Sequence, residues 1–344
     1  MKGSKSICRF VILFVAALFV LLGFLAVPSL RAQTNPIIAQ AKKEGRVQYY
    51  TSQNIVAANA LIKSFQKKYP YLKVDLFRLG GRALLTRTLS ETQAGRHAFD
   101  VISMNIVEIQ LLIKRGLLAK YLSPEAKGIA EGLKDKKGFW TAMRINQFII
   151  GYNTSMISGK EVPKDWWDLL KPMWKGGKIG VDRDATVWYA SLLQYWGRER
   201  GIGFMKKLSA QQPHLERGNT LRTQMMTAGQ FPLAIVHAHK VEIFKKIGAP
   251  LDWVTTADPI VTQPNVLSVA SHAPHPNAGR LFLDYLLSKE GQIIVREKGS
   301  MPARSDIPPP APQLDQSKLK LHYVDAALAE NYDRYHKEYQ EIFR

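Results

Sequence analysis

Three times between residues 46 and 115 a short β-rich run gives way to a turn and then to residues with helical spacing. No other feature constrains the fold as strongly. The run at 46–50 is followed by the polar turn 51–54, after which Leu61, Ile62 and Phe65 share one helical face until Pro70 stops the helix. Val74, Leu76 and Phe77 form a second strand that ends at Gly80-Gly81, with helix over 82–94. DVISMN at 100–105 forms a third strand and turn, with helix over 106–115. Strand–helix units of this length imply parallel strands in a sheet with helices on its faces. In an open sheet of that kind, ligands bind beyond the carboxyl ends of the strands. The turns at 51–54, 80–82 and 104–105 meet at that edge. Each leads into a helix start whose free backbone N–H groups suit an anionic or strongly polar group. Gly80-Gly81 lacks the third glycine and the following acid of a dinucleotide fingerprint, and a tight turn explains it equally well.

The remainder of the chain repeats the pattern. WTAMRINQFIIGYN at 140–153 is an extended apolar run without helix caps, read as a strand crossing between two domains. A strand at 178–181, helices at 184–197, 201–212 and 219–229, and PLAIVHAHK at 232–240 as strand and turn make a second block. A further extended run covers 259–270, helix covers 277–298, the prolines at 308–312 mark a surface linker, and a last helix lies near 322–343. The length of 344 residues suits two domains.

The first 32 residues read as a secretory signal: Lys2, Lys5 and Arg9 precede an apolar run over 10–27, and Ala32 suits the cleavage position. An uncleaved anchor helix is the alternative reading. Cys8 is the single cysteine, so no internal disulfide and no cysteine-based zinc site can form. The net charge of +20 falls by four once the signal is removed. A basic chain could bind nucleic acid, but export argues against that partner. The scattered Lys-Lys pairs read as solvated faces or as a field steering an anionic solute.

Candidate site residues follow from position and chemistry. Ser52 and Asn54 lie in the first turn, Gly81 and Arg82 in the second, and Asn105 in the third. The asparagine amides can orient a polar solute. Arg82 and Arg144, the latter on the crossing strand, can fork onto a carboxylate or phosphonate or serve as ion-pair residues. Asp182 and Asp184 precede a helix and read either as caps or as an acidic counter-group. His237 and His239 have period-2 spacing and share one side if extended; hydrogen bonding to solute, ordinary packing or metal binding fits them. No nucleophile elbow, zinc-protease motif or P-loop is present, so neither enzyme activity nor a cofactor is expected.

Several segments together resemble the bacterial extracytoplasmic solute-binding proteins of ABC importers, in the ferric-iron-type group: AKKEGRVQYYTSQ at 41–53, DVISMN, GAPLDWV at 248–254, APHPNAGRLFLDYLLSKEGQ at 273–292 and MPARSDI at 301–307. The resemblance covers nearly the whole chain after the signal. It implies an α/β type II periplasmic-binding-protein fold, each lobe a mostly parallel sheet flanked by helices, with two crossing strands between them. The lobes would be 33–144 with 264–344, and 145–263. It also implies a monomeric periplasmic receptor, with no metal or cofactor of its own, that delivers a small solute to an inner-membrane permease. Ferric binders of this group use a His after the first strand, a Glu after the third and two adjacent tyrosines in the second lobe. Here Asn54 and Asn105 stand near the first two positions, and about His239 and Lys240 replace the tyrosines. The resemblance therefore points to an organic anion or zwitterion before ferric ion, with an iron chelate, a sensor module or a secreted hydrolase as alternatives.

Overall fold

The computed structural model describes residues 36–344; the signal segment and Cys8 lie outside the described residues. Helix α1 (Pro36–Glu44) leads into β1 (Arg46–Thr51), α2 (Ile55–Lys68), β2 (Lys73–Arg78), α3 (Gly81–Gln93), β3 (Val101–Asn105), α4 (Ile106–Lys114) and β4 (Leu118–Ala119). The long strand β5 (Thr141–Asn153) then opens the second half: β6 (Ile179–Asp182), α5 (Thr186–Trp196), α6 (Arg198–Ala210), β7 (His214–Glu216), α7 (Asn219–Thr227), β8 (Leu233–His237), α8 (Ala238–Lys246) and β9 (Leu251–Trp253). A second long strand, β10 (Ile260–Ala270), returns the chain to α9 (Pro276–Leu287), α10 (Lys289–Glu297), β11 (Met301–Pro302), β12 (Leu321–Tyr323) and α11 (Tyr332–Ile342).

The hydrogen-bonded path runs β2-β1-β3-β10-β5-β8-β6-β7. Its two ends are parallel trios, as the strand–helix alternation predicts. At the centre, β10 is antiparallel to β3 and to β5, and β5 is antiparallel to β8. β5 and β10 thus belong to both halves, and nearly every residue in them is buried. Strands covered on both faces normally read as continuous apolar runs. Here Arg144, Asn146, Gln263 and Asn265 interrupt those runs, which marks the place where the covering layer is missing.

Each half has its own packed face. Leu61 and Phe65 of α2 are fully buried, and Phe65 meets Phe282 of α9 edge-on at 4.8 Å. In the second half, Trp166 lies 5.5 Å from Trp188 and donates its indole N–H to the Pro259 carbonyl. Trp188 and Tyr189 are both fully buried.

Three segments differ from expectation. Residues 238–246, expected to begin as a turn, form α8 directly after β8. The helix expected over 277–298 breaks at Ser288, whose hydroxyl accepts from the Gly291 N–H and starts a new helix; a side chain at Gly291 would collide with the Tyr285 carbonyl. The terminal helix is shorter than expected, being preceded by β12 and a 3-10 segment at Ala326–Asn331. The division that groups 264–344 with the first lobe does not describe α11. Tyr339 donates to the Asp182 carbonyl, Arg198 pairs with Glu338 at 2.5 Å, and Tyr189 donates to the same carboxylate. α11 is therefore fastened to the second half.

Candidate solute-binding cleft

A cleft of about 1590 Å³ opens between the halves, and its floor is the middle of β5 and β10. Side chains alternate along a strand, so Arg144, Asn146 and Phe148 point the same way, as do Gln263 and Asn265, and all five line the cleft. Their register is direct: Arg144 opposes Asn265, and Asn146 opposes Gln263. Asn265 also opposes Asn105 of β3, so Asn105, Asn265 and Arg144 form one row across three strands.

The first wall comes from strand ends and helix starts. Asn54 accepts from the Val56 N–H and Asn105 accepts from the Glu108 N–H, so each caps its own helix. Gly81 begins α3 with the Glu108 carboxyl against it: a Cβ added there would stand 2.7 Å from both carboxyl oxygens. The helix starts expected to face an anion are thus already engaged. Two carry a side-chain cap and the third faces a carboxyl group, so the positive charge in the cleft comes from side chains. Gln53, just after β1, is 1% exposed, and both its amide atoms lack a partner. Arg78, the last residue of β2, donates through Nε to the Gln53 carbonyl and has no acid within ion-pair distance among the described residues.

The second wall is β8 and the start of α8. His237 ends the strand and His239 lies in the first helical turn, so the extended geometry predicted for the pair does not hold. Their rings nevertheless stack, with centroids 5.6 Å apart. His237 Nε2 and His239 Nδ1 have no hydrogen-bond partner. Burial, then the neighbouring cations, holds both imidazoles well below their ordinary pKa, and they are neutral. Lys240 follows; burial together with Arg144 and Arg78 brings its ammonium down to about 8.

Arg144 dominates the electrostatics. It is 6% exposed, donates to the Asn146 side-chain oxygen Oδ1 at 2.6 Å, and leaves Nε without a partner among the described residues. No acid pairs with it among the described residues, and burial brings its pKa down to about 10. Buried Arg144, half-buried Lys240 and the exposed Arg78 at the strand end therefore form a group of cations with no bound carboxylate among the described residues. Burying such charges without compensation is costly. The charges of Arg144 and Arg78 both act to lower the Lys240 pKa.

All ten residues predicted from sequence line this cleft, but their surroundings separate them. Asp182 is bound by the fully buried Arg222 at 2.5 Å, and Asp184 by Arg217 at 2.9 Å, so neither offers a free carboxylate. Asp182 also accepts from the Asp184 N–H, the local turn bond that makes aspartate common before helices. Arg82 lies over the Tyr332 ring at 5.5 Å and 3.8 Å from Asp333. Ser52 hydroxyl is 3.5 Å from the Ser103 carbonyl. Gln53, Arg78, Asn146, Gln263, Asn265 and Glu108 were not singled out by sequence. Period-2 alternation from Arg144 would have found Asn146.

A family model described as bacterial extracellular solute-binding protein matches residues 99–327. The chain belongs to that family. The family supplies the solute-capturing components of ABC transporters. The solute-binding chain is 24% identical over 265 residues to the Fe(3+)-binding periplasmic protein of Serratia marcescens, covering 71% of this chain and 76% of that one. It is 22% identical over 241 residues to a Salmonella typhimurium periplasmic protein provisionally named for 2-aminoethylphosphonate binding, covering 67% and 69%. Among solved structures, the periplasmic binding protein AfuA from Actinobacillus pleuropneumoniae, determined with fructose-6-phosphate, superposes with a TM-score of 0.78 at 24% identity, covering 87% of this chain and 98% of that one. That likeness establishes the type II periplasmic-binding-protein fold for the solute-binding chain. No helix among the described residues is long and apolar enough to cross a membrane.

Proposed function

We propose that this protein is a periplasmic receptor that captures a small organic phosphate or phosphonate between its two halves and delivers it to an ABC permease. The halves turn about β5 and β10. The observation that carries this reading is the uncompensated guanidinium of Arg144, buried in the cleft floor beside Arg78 and Lys240. An anion with two charges and three acceptor oxygens offsets several cations at once and accepts forked hydrogen bonds. The neutral His237 and His239 each carry one N–H that can add a donor. Relatives named for an aminophosphonate and determined with a sugar phosphate support this solute class.

Ferric ion, for which the Serratia relative is named, fits the donors less well. Fe³⁺ prefers carboxylate and phenolate oxygen. Among the described residues no group of three His, Cys, Asp or Glu is placed to hold a metal. The free charges at the Arg144 end of the cleft are also positive. Thermal unfolding with a panel of phosphate esters, phosphonates, carboxylates, sugars and Fe³⁺ tests the reading. Stabilisation is expected from phosphate esters or phosphonates. Stabilisation by Fe³⁺ alone, with a phenolate charge-transfer band, would overturn it.

A further inference from the structure

Asp182 and Asp184 are neutralised by arginines, and Glu242, also in the cleft wall, is bound by Lys245. Glu108 differs. It is 3% exposed, its Oε2 has no partner, and no cation pairs with it among the described residues. Its other oxygen is 3.5 Å from the Tyr332 hydroxyl, and Asn105 and Gly81 complete its surroundings. Arg82 is the cation that faces it from α3, drawn aside onto the Tyr332 ring and toward Asp333. His336, one turn further along α11, meets the Thr186 hydroxyl at 3.0 Å, and Asp184 is bound by Arg217.

Glu108 stands away from Arg144. Asn105 and Arg144 are two strands apart in one row, roughly 10 Å at the usual inter-strand spacing, and Glu108 follows Asn105 by three residues in the first turn of α4. The cleft is thus bipolar, with cations without acids at one end and, at the other, a buried acid whose one facing cation, Arg82, is held on the Tyr332 ring.

We infer that Glu108 receives a protonated amino group of the solute, so that the ligand is a zwitterion carrying a phosphate or phosphonate at the Arg144 end and an amine at the Glu108 end. This rests on the anion-binding role of Arg144 proposed above. The amine gives the carboxylate a cation and fills the free site on Oε2, whereas a ligand without one leaves that oxygen buried and unpartnered.

Calorimetric titration with ω-aminoalkylphosphonates of two to five carbons, each matched to the alkylphosphonate and the ω-hydroxyalkylphosphonate of equal length, tests the assignment. At one or more lengths the amine should bind at least tenfold tighter than both partners. Glu108→Gln should bring that ratio within about twofold. Glu108→Asp, which withdraws the charge by one methylene, should lower the ratio too and serves if the Gln variant does not fold. Equal binding of amine and alkyl or hydroxyl compounds at every length, or a Glu108→Gln variant that keeps the preference, overturns the role of Glu108 but leaves the anion site standing. Binding of no phosphonate at all overturns both.

Discussion

Arg144 and Glu108 are charged side chains held where a protein interior would normally refuse them. Arg144 spends one hydrogen bond on Asn146 and leaves Nε free. An unsatisfied buried donor costs ~1–3 kcal/mol, more when charged. Arg144→Met keeps much of the side-chain volume and removes that penalty, so the ligand-free variant should unfold a few degrees higher in a thermal scan. A lower midpoint would make Arg144 a structural residue. Glu108 gives a second prediction. Burial first of all raises its carboxyl from 4.5 to about 7. Between those values the folded protein keeps a proton that the unfolded chain has released, so stability falls as pH rises through that window and stays lower above it. The difference corresponds to roughly 3 kcal/mol. Glu108→Gln should therefore gain stability over the wild type between pH 5 and pH 8 in denaturant titrations; a constant difference would contradict this. Arg144 was legible as a charge inside an apolar run. Arg78 and Gln53 were not, because a polar residue at a strand end resembles any surface position until the strands are assembled. The two readings of Asp182 could be separated only by Arg222, forty residues away in sequence and fully buried against it.

At the scale of elements, helix starts and strand ends set the walls of the cleft. Gly81 begins α3 with the Glu108 carboxyl in the space a side chain would fill. Gly81→Ala should destabilise the ligand-free protein by about 1–3 kcal/mol, and most of that loss should disappear when Glu108 is also alanine. Chemical denaturation of the two single variants and the double variant measures the coupling; additive losses would mean that the glycine serves only the turn. Strands and helices up to residue 115 were legible because apolar periodicity and turn residues agree there. The start of α8 was not, since LAIVHAHK passes from strand to helix with no intervening glycine, proline or side-chain cap. The interruption at Ser288 was hidden for the opposite reason: the apolar periodicity continues across it, and only the hydroxyl-to-Gly291 bond marks the new helix.

For the whole molecule, two long strands shared by both halves and a cleft of about 1590 Å³ describe an open receptor. Pockets that enclose a small ligand are commonly ~300–1,000 Å³. Saturation with a bound organophosphonate should bring the halves together and lower the radius of gyration in solution scattering, and Arg144→Gln at the same ligand concentration should stay extended. The two-half plan was visible in the order of the elements. The fastening of α11 to the second half was not, because the tyrosines that make it read only as an apolar face. The most direct measurement is calorimetric titration of the wild type and Arg144→Gln with the tightest phosphate ester or phosphonate found for the protein. Loss of one charge-assisted pair, ~1.5–3 kcal/mol, predicts affinity at least tenfold weaker in the variant, while undiminished affinity would contradict an anion seated on Arg144.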